Sequence, residues 1–402
     1  MVPSPKLKHQ RHLIAQRISL LSPSGIRKYF DLIASMEGVI SLGVGEPDFA
    51  TPWHIREAAI HSLESGHTMY TSNMGMPELR QELAQHLQAS YGVEYDPKTE
   101  LLITVGVSEA LDLACRAILD PGDEVILSDP SYVAYPSCIL LAEGNPCPIA
   151  TSATDGFKLD PSEVEAAITP QTKAILIGYP ANPTGATMSR EELLPLAEVA
   201  KRNDLLMISD EIYRELVYGM EPVCLPSLPD MKERTILLGG FSKAYAMTGW
   251  RVGYAAARRE IIEAMNKVHQ YTMLCAPIMG QKAAIEALRS GEEDVKRMLE
   301  EYDQRRRVIV KGLNQIGLTC FEPRGAFYVF PSVKATGLPS EEFADKLLLE
   351  ETVAVIPGSV FGQCGEGHVR CCYAASLEDI EEALTRMGRF VERCQRPSPK
   401  AR

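Results

Sequence analysis

Short runs of apolar residues recur through the middle of the chain, separated by segments with helical spacing. Within each run the residues are mostly apolar rather than alternating with polar ones, as in the strands of a parallel sheet that is covered on both faces. The runs are LLITV (101–105), EVILS (124–128), AILIG (174–178), LLMIS (205–209), TILLG (235–239) and RVGYA (251–255). This pattern predicts an α/β fold with a mostly parallel sheet sandwiched by helices.

Two helices are predicted from specific features of the sequence. Apolar residues between 111 and 118 repeat at helical spacing behind Ser108, which we predict as the N-cap, and the Pro-Gly-Asp turn at 121–123 ends that helix. Residues 292–307 are densely charged and predict a long, solvent-facing helix.

Beyond about residue 290 the alternation of apolar runs and helical segments gives way to a long charged stretch. This change in pattern predicts a second domain. Shorter strands are predicted there at 326–330, 353–356 and 368–373. A closing amphipathic helix is predicted around 377–393, and residues 395–402 are predicted to be a disordered tail.

The composition is that of an ordinary globular chain, with 45% hydrophobic and 23% charged residues. Its 402 residues predict two domains, or one large domain with an appendage. A net charge of −12 argues against a surface for nucleic acid or an anionic membrane, because either would need a basic face. Small-molecule chemistry is therefore favoured.

The ten cysteines are scattered and form no CxxC pair, so they predict free thiols in a reducing cytoplasm. Residues 1–10 lack the apolar core of a signal peptide. His54 and His61 can share one helical face, but no carboxylate or cysteine stands near them at ligand spacing. We therefore predict no metal site.

The residues that follow the predicted strands carry the candidate chemistry. In an open parallel sheet these positions meet at the carboxyl edge, where ligands bind. Gly106, Val107 and Ser108 follow the first run and open a helix. The free backbone amides of a helix start favour a phosphate group.

Three further strand ends have side chains suited to a planar cofactor. Tyr132 follows the second run and can stack on a ring, while Asn182 follows the third in a loop stiffened by two prolines. Asp210 ends an apolar strand, where an unpaired carboxylate would be costly. It needs a cationic partner or a proton.

Lys243 and Arg251 lie in one segment, FSKAYAMTGWRVGY (241–254). Partial burial beside another cation lowers the pKa of a lysine and frees its amine to condense with an aldehyde. Pyridoxal phosphate satisfies all of these positions together: Asp210 would face its ring nitrogen, and Asn182 and Tyr213 would donate to its phenolic oxygen. Arg251 would pair with its phosphate.

Seven segments carry a resemblance over nearly the whole chain. They are SLGVGEPDFATP (41–52), YTSNMGMPELR (70–80), YPANPTG (179–185), SDEIY (209–213), FSKAYAMTGWRVGY (241–254), PRGAFYVFP (323–331) and HVRCCYAAS (368–376). In order and spacing the chain resembles the class I aminotransferases of pyridoxal phosphate fold type I. It is most similar to the prokaryotic branch of aspartate, aromatic and broad-specificity enzymes.

The resemblance implies an aspartate aminotransferase-like subunit with two domains. The large cofactor-binding domain would span 47–290. A smaller α+β domain would be formed by both termini, from 1–46 and 291–402. The resemblance also implies a homodimer with active sites at the interface.

The resemblance also implies a role for each matching residue around the cofactor. Lys243 would hold the cofactor as its Schiff-base lysine and shuttle the proton between the substrate α carbon and C4′. The other predicted cofactor contacts are Asp210 to the ring nitrogen, Asn182 and Tyr213 to O3′, Arg251 and Ser242 to the phosphate, Gly106, Val107 and Ser108 near the phosphate, and Tyr132 stacked on the ring.

Three more residues are implied to act on the substrate or across the dimer. Arg370 would clamp the substrate α-carboxylate with its planar fork. Gly45 would line the substrate pocket together with Asn182. Tyr70 would reach the phosphate in the neighbouring subunit.

Two positions depart from the pattern of the branch. Aspartate-active members can carry a lysine where this chain has Ser108, which puts strict dicarboxylate specificity in doubt. Many relatives have a serine three residues before the Schiff-base lysine, and this chain has Gly240 there. Ser242 and the amides at 106–108 would compensate.

The predicted activity is transfer of an amino group between an L-amino acid and a 2-oxo acid by a ping-pong mechanism. A pyridoxal phosphate-dependent carbon–sulfur β-lyase is the alternative enzyme, since related folds support elimination with the same lysine. A regulator that senses amino acids is the alternative from another class. It would need a DNA-binding domain, for which residues 1–40 are too few and lack a basic face.

Overall fold

A computed structural model describes residues 13–21, 25–34 and 36–395 of the chain. The predictions for residues 1–10 and for the tail from 396 onward lie outside this part. Its helices are α1 (Gln16–Ser19), α2 (Gly25–Ala34), α3 (Trp53–Glu64), α4 (Pro77–Tyr91), α5 (Gly106–Ile118), α6 (Ala134–Leu141), α7 (Pro161–Ala166), α8 (Arg190–Arg202), α9 (Arg259–Thr272), α10 (Ile278–Ser290), α11 (Glu292–Gln315), α12 (Ser340–Glu351) and α13 (Leu377–Gln395).

The strands form one large sheet and two small ones. They are β1 (Ile40–Ser41), β2 (Leu101–Thr104), β3 (Glu124–Asp129), β4 (Asn145–Ala150), β5 (Thr172–Ile177), β6 (Leu206–Asp210), β7 (Thr235–Gly240), β8 (Gly253–Ala256), β9 (Tyr328–Val329), β10 (Val353–Ala354), β11 (Ile356–Pro357) and β12 (Val369–Cys372). Each of the six predicted apolar runs overlaps a strand of the large sheet.

The large sheet has seven strands in the order β2-β8-β7-β6-β5-β3-β4. Strands β3 to β7 pair in parallel, whereas β8 runs antiparallel to both of its neighbours, β2 and β7. Strand β4 at the edge was not predicted, because Pro146 and Pro148 argue against a strand. An edge strand tolerates proline, since one side of its backbone needs no partner.

Both faces of the large sheet are covered. Leu127 and Leu176 belong to a buried cluster that includes residues of α5 and α9. Their chain neighbours Ile126 and Ile175 belong to another buried cluster, which includes residues of α8. Successive strand residues thus point into opposite layers, which explains why the runs are apolar throughout.

The C-terminal part adds a three-stranded antiparallel sheet in the order β11-β12-β9. Strand β1 pairs in parallel with β10, so an N-terminal segment joins this C-terminal layer. The domain boundaries at 46/47 and 290/291 stay a prediction. No helix in the described ranges is both long enough and apolar enough to cross a membrane.

The long charged helix was predicted to face solvent, and this was only partly right. Helix α11 buries one face through Met298, Tyr302, Ile309 and Leu313. These residues recur at helical spacing, but the many charged residues between them dominate the composition. Their burial joins α11 to the core of the C-terminal layer.

Candidate active site

A cavity of about 280 Å³ opens at the carboxyl edge of the large sheet. The predicted site residues that line it are Gly45, Val107, Ser108, Tyr132, Asn182, Asp210, Tyr213, Ser242, Lys243, Arg251 and Arg370. Gly106 is next to this set, and Tyr70 lies outside it. Residues far apart in sequence therefore converge on one space large enough to hold part of a small organic molecule.

Lys243 follows β7 and lines this cavity. Its Nζ donates a hydrogen bond of 2.7 Å to the backbone oxygen of Gly45. Burial is the main cause that lowers the pKa of Lys243 to about 8; the charges of Arg370 and Arg251 act in the same direction, and Cys372 and Glu46 oppose the shift. About a tenth of the amine is therefore uncharged at pH 7, far more than for an ordinary lysine, and the uncharged form is the one that acts as a nucleophile.

Asp210 ends β6 as a buried carboxylate, only 6% exposed. Tyr135 donates a hydrogen bond of 2.9 Å to its Oδ2, and the Ile212 amide donates one of 3.2 Å to its Oδ1. Burial raises the pKa of Asp210 to about 6, although these two donors oppose the shift. Both of its hydrogen-bond donors are neutral groups, so the buried carboxylate favours a protonated partner in the cavity.

Arg370 on β12 is 2% exposed. It donates to Asn182 Oδ1 at 2.9 Å and to the Gly43 oxygen at 2.6 Å. Its guanidinium lies between two aromatic rings, 4.6 Å from the centre of Tyr328 and 5.0 Å from that of Phe361. The Nε atom has no hydrogen-bond partner among the described residues. A planar cation held in this way can bind a carboxylate.

Tyr213 and Tyr328 form a buried pair beside Arg370. Their hydroxyl oxygens are 2.7 Å apart, so one donates to the other. A side chain at Gly45 would place its Cβ 2.4 Å from the Tyr328 hydroxyl. Glycine is therefore required at position 45 for this tyrosine to reach the cavity.

The opposite end of the cavity is shaped to receive an anion. Helix α5 begins at Gly106, which has a positive φ of 75°, and a Cβ there would lie 2.5 Å from Arg251 Nη2. Arg251 itself adopts the left-handed conformation with φ 55° and donates to the Thr248 oxygen at 3.1 Å. The guanidinium therefore lies against a helix N-terminus, where both groups favour a phosphate.

The prediction that Ser108 caps α5 is wrong. The helix begins two residues earlier, at Gly106, and Val105 is its N-cap residue. The side chain of Glu109 accepts the hydrogen bond from the Val105 amide instead. The positive φ of Gly106 starts the helix directly after β2, and a residue already inside the first turn cannot act as the N-cap.

Gly240 is tightly enclosed. A Cβ at this position would lie 2.9 Å from Val107 Cγ2 and 3.2 Å from the Gly253 Cα. A serine three residues before Lys243 would therefore collide with its neighbours. The packing of Val107 accounts for the departure seen in the sequence.

Tyr70 is 83% exposed and does not line the cavity. Other exposed apolar residues, Met69, Tyr271 and Met273, lie in the same two chain segments. Asn73 connects these segments by donating a hydrogen bond of 2.7 Å to the Leu274 oxygen. The role predicted for Tyr70 in a neighbouring subunit is not tested by a single chain.

Sequence reasoning missed two tyrosines that line the cavity, Tyr135 and Tyr328. Tyr328 lies within the segment PRGAFYVFP and could have been found from it. Tyr135 lies one helical turn after Tyr132, so the spacing of the two aromatic residues was the available signal.

Comparison with known proteins places this chain in a family. The family model for "Aminotransferase class I and II" matches residues 37–387. The Bacillus subtilis protein YugH is 53% identical over 380 residues, which are 94% of this chain and 98% of that protein. The aspartate aminotransferase of Pyrococcus abyssi is 44% identical over 381 residues, with 94% and 98% of the two chains covered.

Solved structures agree with the sequence matches. The aromatic aminotransferase from Pyrococcus horikoshii superposes with a TM-score of 0.87 and 42% identity, covering 92% of this chain and 99% of that one. The chain therefore belongs to the class I and II aminotransferases. It is a transaminase of fold type I whose cofactor is pyridoxal 5′-phosphate.

The residues present fit this cofactor. The buried carboxylate of Asp210 favours a protonated ring nitrogen, and the Lys243 amine is uncharged often enough to meet an aldehyde. The lack of a side chain at Gly106 lets the Arg251 guanidinium lie at the helix start, and the two together favour a phosphate. These are three different chemical demands, and they are met at separate places in one cavity.

Proposed function

We propose that this transaminase moves an amino group from an L-amino acid to a 2-oxo acid in two successive half-reactions, with Lys243 as the catalytic amine. The observation that carries the proposal is that Lys243 lines one cavity together with Asp210 and Arg370 and has its pKa lowered to about 8, mainly by burial. A lysine on a solvated surface would remain protonated and could serve neither as nucleophile nor as base.

Bound pyridoxal phosphate supplies an aldehyde that condenses with amines and a ring that takes up electrons. Asp210 keeps the ring nitrogen protonated, since a buried carboxylate stabilises a cation directly beside it. Arg251 and the amides at the start of α5 hold the phosphate. Tyr132 lines the cavity where its ring can cover one face of the cofactor, and Ser242 supplies a further donor.

Arg370 and Lys243 act on the substrate. Arg370 gives up part of its present hydrogen bonding and clamps the α-carboxylate through two parallel donors. The substrate α carbon would then lie near Lys243, whose released Nζ would take the proton from this carbon and deliver it to C4′ of the cofactor. Asn182 and Tyr213 donate to the phenolic oxygen, and Gly45 leaves room for the substrate.

The proposal includes a homodimer in a reducing compartment such as the cytoplasm. Exposed apolar side chains around Tyr70 and Tyr271, 83% and 86% exposed, support association of two copies, because such a cluster is unfavourable in water. All ten cysteines are free thiols, in keeping with a reducing environment. Size-exclusion chromatography with light scattering tests the dimer.

The test of the catalytic role is Lys243→Ala. The variant should lose multiple-turnover amine transfer by several orders of magnitude while the wild type turns over. The assay uses a panel of amino donors that includes aspartate, phenylalanine and alanine, each with 2-oxoglutarate, pyruvate and oxaloacetate. Wild-type turnover that persists in the variant would refute the role of Lys243.

The β-lyase alternative is separated by a second assay. Cystathionine is incubated with the enzyme in the absence of any oxo acid, and pyruvate and ammonia are measured. A transaminase releases little of either product without an acceptor. Rapid release of both, with no amine transfer to any oxo acid, would overturn the proposal.

A further inference from the structure

The end of strand β3 carries a buried carboxylate that the mechanism above does not use. Asp129 is 9% exposed, and it lies three residues before Tyr132, which lines the cavity. Its Oδ2 accepts a hydrogen bond of 3.0 Å from the Gln363 amide, and its Oδ1 accepts one of 3.2 Å from the Cys364 amide. A side chain of the large sheet is thereby bonded to a loop of the C-terminal part.

The loop is shaped around this carboxylate. Gly362 has φ 137°, a conformation that only glycine adopts readily. A Cβ on Gly362 would lie 1.9 Å from Asp129 Oδ1. The glycine therefore permits both the turn and the close approach that allow one carboxylate to receive two consecutive amides.

The same loop carries one of the two rings that enclose Arg370. Phe361 directly precedes Gly362, is 4% exposed, and lies with its ring centre 5.0 Å from the guanidinium. Its backbone oxygen accepts a hydrogen bond of 2.9 Å from the Ser131 amide. Three hydrogen bonds, one to Phe361 itself and two from residues that closely follow it, thus fix this part of the loop to the end of β3.

We propose that Asp129 is a positioning residue for binding of the substrate α-carboxylate, which acts by holding Phe361 against Arg370. The inference rests on the proposed function of Arg370 and adds to it a dependence on a residue of the large sheet. Asp129 does not itself touch the substrate. Its loss leaves the guanidinium free to turn away on the side of Phe361, while Asn182 and Gly43 still hold the other end.

The principal variant is Asp129→Asn. The amide has nearly the same shape, but it offers one acceptor where the carboxylate offers two, and its NH₂ group faces an amide donor. We expect KM to rise roughly tenfold for the amino donor and also for the oxo acid, because both carry the carboxylate that Arg370 binds. We expect kcat to change by less than about threefold, since Lys243 and Asp210 are untouched.

A double-mutant cycle tests the route through Phe361. Phe361→Leu removes the aromatic face but keeps the backbone contacts, and it should raise KM by a similar factor. If Asp129 acts by holding this ring, Asp129→Asn should add little in the Phe361→Leu background. The proposal would be overturned if the increases in KM of the two single variants multiplied in full in the double variant. It would also be overturned by an unchanged KM in Asp129→Asn.

Asp120→Asn is the matched control. Asp120 is exposed near the opposite end of β3, and the same chemical change there should leave both constants unaltered. Thermal unfolding of the holoenzyme is measured for every variant, and Asp129→Glu offers a second form of the carboxylate that should recover part of the lost affinity. If the wild type shows no transamination, the proposed function fails; if it does and only the KM effects are missing, the inference alone fails.

Discussion

The Tyr135 hydroxyl donates a hydrogen bond of 2.9 Å to Asp210 Oδ2 in the interior of the protein. A Cβ on Gly178 would lie 2.1 Å from this hydroxyl, so the glycine on the neighbouring strand end makes the space for it. The Ile212 amide occupies the other carboxylate oxygen. The orientation of Asp210 in the cavity is therefore set by the protein before any ligand arrives.

Tyr135→Phe should weaken cofactor binding. Removing a donor to the charged form raises the pKa of Asp210, so its carboxylate is protonated at higher pH and loses its attraction for a protonated ring. We expect the dissociation constant of pyridoxal phosphate to rise roughly tenfold at neutral pH. Titration of cofactor-free protein, followed by absorbance at several pH values, should also show the binding midpoint displaced to higher pH. Tyr179→Phe removes a buried hydroxyl bonded to Leu159 and Phe157 and should have no such effect.

Asp210 should make the cofactor-free protein less stable as the pH rises. Its folded pKa of about 6 exceeds the ordinary 3.8, so the folded state holds the proton more tightly than the unfolded chain does. The associated stability is fully present below pH 3.8 and is lost as the pH rises through about 6. The full shift corresponds to ~3 kcal/mol.

Asp210→Asn should abolish this dependence. Urea unfolding of the cofactor-free forms should show that the free energy of unfolding of the variant rises relative to that of the wild type between about pH 4 and pH 7. The reason is that the neutral amide carries no cost of burying a charge. Asp120→Asn should track the wild type throughout. If the difference in the free energy of unfolding between Asp210→Asn and the wild type stayed constant with pH, the raised pKa of Asp210 would be contradicted.

The hydroxyl group and the ring of Tyr328 should make separable contributions, the first to kcat and the second to KM. Tyr328→Phe removes the hydrogen bond to Tyr213 but keeps the ring at Arg370, so we expect a lower kcat and a KM within about threefold of the wild type. Tyr328→Leu removes the ring as well, and loss of the cation–π contact should raise KM roughly tenfold. Steady-state kinetics for one donor and one acceptor compare the two. Identical KM values in both variants would show that the ring contributes nothing to Arg370.

Gly240→Ser should destabilise the protein rather than improve its hold on the phosphate. Its Cβ would come within 2.9 Å of Val107 Cγ2, and overpacking of this kind costs about 1–3 kcal/mol. Gly249→Ser is a control, because a Cβ there meets nothing within 4 Å. Thermal unfolding should show a melting temperature below that of the wild type for Gly240→Ser and an unchanged one for Gly249→Ser. A stable Gly240→Ser with tighter cofactor binding would contradict the packing argument.

The sequence predicted the sheet and the strand-end residues because both depend on local patterns. Buried parallel strands have runs of apolar residues; Asp210 directly follows one such run, and Lys243 lies four residues after the end of another. The N-cap of α5 was misplaced because the conformation of Gly106 depends on its packing against Arg251, a residue that is distant in the chain. Strand β4 was missed because its prolines are tolerated only at an edge, and edge position is a property of the whole sheet.

Contacts between distant segments could not be predicted from the same patterns. Asp129 is an ordinary residue of the segment Asp-Pro-Ser-Tyr, and Gly362 is one of 29 glycines. Their mutual fit appears only when β3 and the loop after β11 are brought together. The hydrogen bond from Tyr135 to Asp210 is similar, since it joins a helix and a strand separated by 75 positions.

The reversed direction of β8 also affects how this site can vary among homologous proteins. Because β7 and β8 are antiparallel neighbours, Lys243 and Arg251 both lie on the single connection between them. A change in the length of that connection would displace amine and guanidinium together. Tyr132 and Asn182 lie on two other connections and Asp210 ends β6, and the connections after these strands can lengthen independently. Insertions are therefore expected to accumulate around the rim of the cavity, while the segment from 241 to 252 keeps a fixed length.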